Sequence, residues 1–201
     1  PSVSVARQPS ATLRRHGTPS VGMSGVDGNL IHAVRRPPKM IIDQATGQER
    51  EVDFLNVGDI CGVNTHILRV LLDNRFVPVI ASLGADEAGQ VLNINADTIA
   101  SEIAIKLLAE KLFILSNVNG VLRDVKDPTS RFSYITVDRG EALVQERVIS
   151  GGMIPKLNAA IKAVKAGVPR AHILNGMAEN ALLCEVFTRK GFGTMIVNKG
   201  E

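Results

Sequence analysis

The stretch "FVPVIASLGADEAGQVLNINADTIASEIAIKLLAEKLFILSNVNG", residues 76–120, decides the fold. It opens on an apolar, partly β-branched run at 76–84 that reads as a buried strand. Turn formers follow, and then Ile99, Ala100, Ile103, Ala104, Leu107 and Leu108 recur at the spacing of a helix with one apolar side. A second strand, "KLFIL", leads into a glycine-bearing turn at 115–122.

The same alternation continues toward the C-terminus. Helical patterns at 138–148, 150–167 and 179–191 are separated by "AHILNG" (171–176) and followed by "GTMIV" (193–197), both strand-like. Toward the N-terminus, "SVGMSG" (20–25) and "LIHAVRR" (30–36) read as two strands joined hairpin-fashion through Asp27, Gly28 and Asn29. Residues 41–62 read as loops with short extended pieces. "NTHILRVLLDN" (64–74) reads as a helix with Asn64 or Thr65 as its N-cap. Strands alternating with helices predict an α/β fold, a largely parallel sheet covered on both faces.

Composition narrows the function classes. A chain of 201 residues, 45% hydrophobic and 21% charged, is that of a globular domain with a real core. No apolar run approaches the roughly 20 residues of a membrane helix, so no membrane partner is expected. Cys61 and Cys184 lie far apart with no second ligand at metal spacing, which supports neither a disulfide framework nor a zinc site and favours a reducing, cytoplasmic setting. A net charge of +3 with one Tyr and no Trp gives little support for a nucleic-acid partner. Residues 1–26 carry Arg7, Arg14 and Arg15 without an acid, as an organellar transit segment would. The first residue is Pro, which favours the alternative expectation of a piece of a longer chain.

In this fold class ligands collect where strands end and helices begin, and three such places stand out. At "NINAD", Asp97 sits at an N-cap position and is open to either a capping or a functional reading. Asn93 and Asn95, at i, i+2 spacing, put both amides on one side of an extended segment, where they can donate to one anion. At "LSNVNGVL", Ser116, Asn117, Asn119 and Gly120 follow a strand; an ordinary turn would look the same. At "VISGGMIPK", Gly151 and Gly152 precede a helix whose first turn holds Pro155 and Lys156. A lysine there has the wrong charge for the positive helix end, a misfit that a bound phosphate would resolve. A solvated surface lysine is the plainer alternative. No GxxxxGK[ST] loop, GxGxxG or HExxH is present, and "GMSG" at 22–25 fails the GxSxG spacing.

Taken together, "VGMSGVDGNLI", "VNTHILRVLLDNRFVPVIASLGADEAGQVLNINADTIA", "GVLRDVKDPTS", "VISGGMIPKLNAAIKAVKAGVPRAHILNG" and "GTMIV" resemble the acetylglutamate kinases of the amino acid kinase family, from about residue 13 to the end. The resemblance implies a three-layer αβα sandwich. It also implies transfer of the γ-phosphoryl group of ATP, with Mg²⁺, to the side-chain carboxylate of N-acetyl-L-glutamate in arginine biosynthesis. By position it implies that Asn93 binds acetylglutamate with Asn95 beside it, that Lys156 stabilises the transferring phosphate, and that Asp97 orients catalytic lysines. It further implies an ATP-binding turn of Ser116, Asn117, Val118, Asn119, Gly120, Val121 and Leu122, and a second nucleotide contact at Val148, Ile149 and Ser150.

The resemblance also carries departures. The family's opening strand with a Lys and a Gly pair, its Gly-rich substrate loop and its substrate arginine have no counterpart here. Asn117 and Asn175 stand where Asp is commoner. The expectation is therefore residues 1–12 as an unassigned lead, 13–75 as a remnant of the acetylglutamate-binding half and 76–201 as the nucleotide-binding half. The complete enzyme is expected to be a homo-oligomer, and this chain alone inactive. The alternatives are a catalytically silent nucleotide-binding or interaction module, or another amino acid kinase.

Overall fold

The computed structural model describes residues 2–42, 47–188 and 191–199. Contacts gather the chain into two units, 1–99 and 100–201, divided inside one helix. The first runs α1 (Ser2–Arg15), β1 (Ser20–Ser24), β2 (Ile31–Arg35), β3 (Lys39–Ile42), β4 (Glu49–Val52), β5 (Gly58–Val63), α2 (His66–Asp73), β6 (Val77–Ala81), β7 (Leu83–Ala85) and β8 (Val91–Asn93), and enters α3 (Ala96–Leu107). The second continues with β9 (Lys111–Ser116), β10 (Tyr134–Thr136), α4 (Val137–Gln145), α5 (Met153–Lys165), β11 (Arg170–Asn175), α6 (Ala181–Phe187) and β12 (Thr194–Val197).

In the second unit the strands lie in the order β10-β12-β11-β9. Successive side chains of a strand point to opposite faces, and β11 uses both. Ala171 and Ile173 join one cluster with Leu112, Ile114 and Ile196 of the sheet and Leu157, Ala160, Ile161 and Val164 of α5. Alanines at 159, 160 and 163 let α5 settle closely on the strands, and each fully buried Leu or Ile contributes about 1.5–3 kcal/mol. His172, facing the other way, meets α6 through Glu185. Helices thus cover both faces of this sheet. The Ser101 hydroxyl of α3 donates to the Ala159 carbonyl at 2.9 Å, and Glu102 pairs with Lys162.

The first unit is less continuous. β1 and β6 pair in parallel under α1, which tolerates Pro9 within its length. A separate sheet has the order β5-β2-β7-β8, and β3 with β4 forms an exposed hairpin.

The α/β class stands, and five local expectations change. The strands at 20–24 and 31–35 form but do not pair with each other: β1 takes β6, and β2 takes β5 and β7. Their connection contains a 3-10 turn at Asp27–Asn29 rather than a two-residue hairpin turn, and it carries the chain from one sheet to another. It is fixed by Gly25, where a β-carbon would lie 1.9 Å from the Leu83 carbonyl oxygen. The sheets are mixed, with antiparallel pairs β2–β5, β3–β4, β7–β8 and β11–β12 beside the parallel ones; between β7 and β8 a tight turn at 86–90 reverses the chain without a helix. The run 76–84 breaks into β6 and β7, and β6 is half-exposed rather than buried. A short strand, β10, stands where the sequence signalled only loop. Finally, the cap of α3 is Asn95 and not Asp97: the Asn95 Oδ1 accepts the Thr98 N–H at 3.0 Å, while Asp97 lies in the first turn.

Of the expected 179–191 helix only Ala181–Phe187 is helical, and Thr188 is already extended; residues 43–46 of the 41–62 stretch and 189–190 of that expected helix lie outside the described residues.

Candidate active site

Strand β9 ends at Ser116, and the chain turns through 116–122 because Gly120 adopts φ +99°, a conformation in which a β-carbon is disfavoured. The Gly120 N–H reaches back to the Val118 carbonyl at 2.8 Å, and the Gly176 N–H donates to the Ser116 carbonyl at 2.8 Å, tying the turn to the end of β11. Between this turn and the start of α5 opens a cavity of about 400 Å³. The turn contributes Ser116, Asn117, Val118, Gly120 and Leu122. The approach to α5 contributes Val148, Ile149, Ser150, Gly152, Met153 and Lys156. A mostly apolar wall with a few convergent polar groups is the usual make-up of a small-molecule site.

The electrostatics favour an anion at one end. Helix α5 starts without a side-chain cap on its N–H groups, and the third position, Pro155, has no N–H to satisfy. Lys156 is the one charged side chain among the described residues lining the cavity. Helix amides and an ammonium group on the same wall can share one phosphate-like ligand.

Nine of the expected nucleotide-side residues, Lys156 included, therefore meet at one cavity. Asn119 and Val121 do not line it. The Asn119 Oδ1 accepts from the Asn175 Nδ2 at 2.8 Å, and the Asn175 Oδ1 accepts the Met177 N–H at 2.9 Å, so these amides brace the turn from the side. Val121 is wholly buried in the core. Gly152, Met153 and Val125 line the cavity although the sequence reading did not single out Met153 or Val125 as site residues; apolar side chains in a loop give no chemical signal.

The acetylglutamate-side candidates belong to the first unit. Asn93 and Asn95 are exposed and alternate with buried Leu92 and Ile94, so the two amides share one side as the i, i+2 spacing predicts. The Asn93 N–H donates to the Asn56 carbonyl at 2.6 Å, and the Asn95 side chain is engaged as the cap of α3. Asp97 is half-buried.

On the far face of the second sheet, His172 and Glu185 form a buried pair, Nδ1 to Oε1 2.6 Å, with His172 stacked on Phe113. The other Glu185 oxygen accepts the N–H groups of Phe192 and, at 3.0 Å, Gly193. Burial pushes the His172 pKa below its ordinary value, outweighing Glu185, which raises it; Lys111 and Arg170 add to the lowering. The Nε2 is buried with no hydrogen-bond partner among the described residues, so a proton there would lack an acceptor among them. The ring is accordingly neutral and donates from Nδ1. Burial raises the Glu185 pKa, but the Phe192 N–H, His172 and the Gly193 N–H together hold it below the ordinary range.

The sequence profile of the amino acid kinase family matches residues 3–175. The chain belongs to the amino acid kinase family. Among its relatives in this family, the acetylglutamate kinase of Methanothermobacter thermautotrophicus is 44% identical over 181 residues, covering 90% of this chain and 62% of that protein. The enzyme of Methanosarcina acetivorans is 43% identical over 180 residues, covering 90% and 60%. This amino acid kinase chain thus spans about three-fifths of the length of those relatives. Among solved structures, N-acetylglutamate synthase from Neisseria gonorrhoeae, complexed with coenzyme A and L-arginine, superposes with a TM-score of 0.73 at 26% identity over 99% of this chain and 46% of that one. Carbamate kinase from Giardia lamblia bound to AMP-PNP superposes with a TM-score of 0.64 at 19% identity, covering 98% and 71%, a likeness of fold. No described helix is long and apolar enough to cross a membrane. Among the described residues, no group of three or more His, Cys, Asp or Glu side chains is placed to hold a metal ion.

Proposed function

We propose that this chain is part of an acetylglutamate kinase, transferring the γ-phosphoryl group of ATP to the side-chain carboxylate of N-acetyl-L-glutamate. The observation that carries the reading is the cavity between the 116–122 turn and the start of α5, with Lys156 in its wall. The acceptor carboxylate is ionised near pH 7, so the reaction needs no general base. It needs alignment of the two substrates and compensation of charge on the transferring group. In this reading the turn holds the nucleotide, and Lys156 with the α5 amides faces its phosphates. Val148, Ile149 and Ser150 form the second nucleotide contact. In the same reading Mg²⁺ enters bound to ATP, where it neutralises phosphate charge.

Asn93 and Asn95 are assigned to acetylglutamate and Asp97 to orienting the lysines, with 13–75 as the remnant of the acetylglutamate half and 76–201 as the nucleotide half. The length shared with the relatives and the lack of a Lys-x-Gly-Gly strand support a chain that binds nucleotide without completing the reaction. A cytoplasmic setting and a homo-oligomeric complete enzyme belong to the same reading.

Two measurements test it. Titration calorimetry of the 201-residue chain with MgATP should show saturable binding, and its absence would remove the nucleotide site. Trapping of acyl phosphate with hydroxylamine should give product only in a protein extended to the full length of the relatives. Product from the chain alone at a matching rate would overturn the incompleteness.

A further inference from the structure

The turn at 116–122 depends on a residue far from it in sequence. Thr194, the first residue of β12, is wholly buried, and its hydroxyl makes two hydrogen bonds. It accepts the Val121 N–H at 2.8 Å and donates to the Phe132 carbonyl at 2.6 Å. Phe132 closes the loop by donating its own N–H to the Val121 carbonyl at 2.9 Å. The hydroxyl therefore uses both its donor and its acceptor capacity on the two ends of one loop.

Packing says the same. A β-carbon at Gly120 would fall 2.6 Å from the Thr194 Oγ1, so the turn passes against this side chain with no space between. On its other side, the preceding Gly193 is pressed to β11, where a β-carbon would meet the Ile173 carbonyl oxygen at 2.3 Å. Thr194 pairs with Ile173 in the antiparallel register, and Arg131 donates to the Gly193 carbonyl. The cavity wall is thereby referenced to the middle of the sheet and not to β9 alone.

We propose that Thr194 is a positioning residue for the nucleotide turn: its hydroxyl fixes the path of residues 120–122, and with it the affinity of the cavity for MgATP. This rests on the nucleotide reading given above. Val has nearly the shape of Thr, so a purely steric role would survive that exchange; a role carried by the hydroxyl would not, because two buried backbone groups would lose their partner.

The test is binding of MgATP to the 201-residue chain and its variants by titration calorimetry, with amide hydrogen exchange on the same preparations. Thr194→Val should weaken binding about tenfold, equivalent to about 1.4 kcal/mol. It should speed exchange of the 120–122 amides while the β11 amides stay protected. Thr194→Ser, which keeps the hydroxyl, should bind within about threefold of the parent. If Thr194→Val fails to fold, Thr194→Ala and Thr194→Ser decide the matter, since both lack the methyl group and differ only in the hydroxyl; Ala should bind several-fold more weakly than Ser. Equal binding by the variants with and without the hydroxyl overturns this inference alone. An unsubstituted chain that binds no MgATP overturns the nucleotide reading and this inference with it.

Discussion

Residues 100–201 join Leu112, Ile114, Leu157, Ile161, Ile173 and Ile196 into one cluster, whereas residues 1–99 divide their apolar residues between separate sheets. In the first unit Met23 and Ala81 are buried on the β1–β6 pair, and Ile31, Ala33 and Leu92 on the sheet around β2. The β3–β4 hairpin buries almost nothing, with Met40 and Ile42 60% and 65% exposed. The difference follows from the connections. Helices link β10 to β11 and β11 to β12 in the second unit, while short turns link most strands of the first. The candidate nucleotide cavity lies in the unit with the continuous core.

Leu157→Ala, at the centre of that core, should cost about 2–5 kcal/mol in chemical denaturation. Ile42→Ala, on the exposed hairpin, should stay within about 0.5 kcal/mol. Similar losses at both positions would abolish the contrast between the units.

The next largest effect concerns the cavity. In a protein extended to the relatives' full length, Lys156→Ala should lower kcat about a hundredfold, or about 2.7 kcal/mol at the barrier, and raise the KM for acetylglutamate far less. Steady-state kinetics with an unchanged kcat would reduce Lys156 to a surface charge.

At the mouth of α3 the structure separates two neighbouring roles. Asn95→Ala should cost about 1 kcal/mol of stability through loss of the cap. Asp97→Asn should cost only some tenths of a kcal/mol, mainly through the helix dipole, yet lower kcat at least about tenfold in the extended protein if the carboxylate orients lysines. Thermal melts and rates on the same samples distinguish them; an inert Asp97→Asn leaves Asp97 as part of an ordinary first turn.

The smallest effect is the acid sensitivity that the His172–Glu185 pair gives the second unit. His172 has a folded-state pKa below its ordinary value near 6.5, so the unfolded chain takes up this proton first as pH falls. The associated stability is complete above about pH 6.5 and is lost as pH drops through the folded value. Glu185, also depressed, has the same sign and contributes below its ordinary value near 4.5. The melting temperature should therefore decline from pH 7.5 to 5.5, and His172→Phe should flatten that decline. An unaltered slope in the variant would place the acid sensitivity elsewhere.

Much of the candidate site was legible because its signals are local. A glycine-bearing turn after a strand, and a lysine misplaced in the first turn of a helix, can each be read within ten residues or so of sequence. The cavity does bring Ser116, Asn117, Val118, Gly120 and Leu122 together with 148–150 and Lys156. The roles of Asn119 and Val121 were not legible, since one braces Asn175 and the other fills the core, and either fact depends on a partner strand. Thr194 gave one faint signal, a hydroxyl among the apolar residues of "GTMIV".

By itself the sequence determined most helices and strands from residue 64 onward, because apolar spacing of 3.6 or 2 residues is a property of neighbours, but it signalled neither α1 nor β10. It determined the family too, through blocks of residues that recur in order. Only the tertiary structure decided which strand lies beside which, since β1 finds β6 across more than fifty residues and pairing is settled by competition for buried surface. It also decided that Asn95, and not Asp97, caps α3, because the first helical hydrogen bond runs from Ile99 to the Asn95 carbonyl. The links from His172 to Glu185 and from Thr194 to Val121 and Phe132 came from the same source: a buried polar group takes whichever partner the fold brings to it, and no local pattern names that partner in advance.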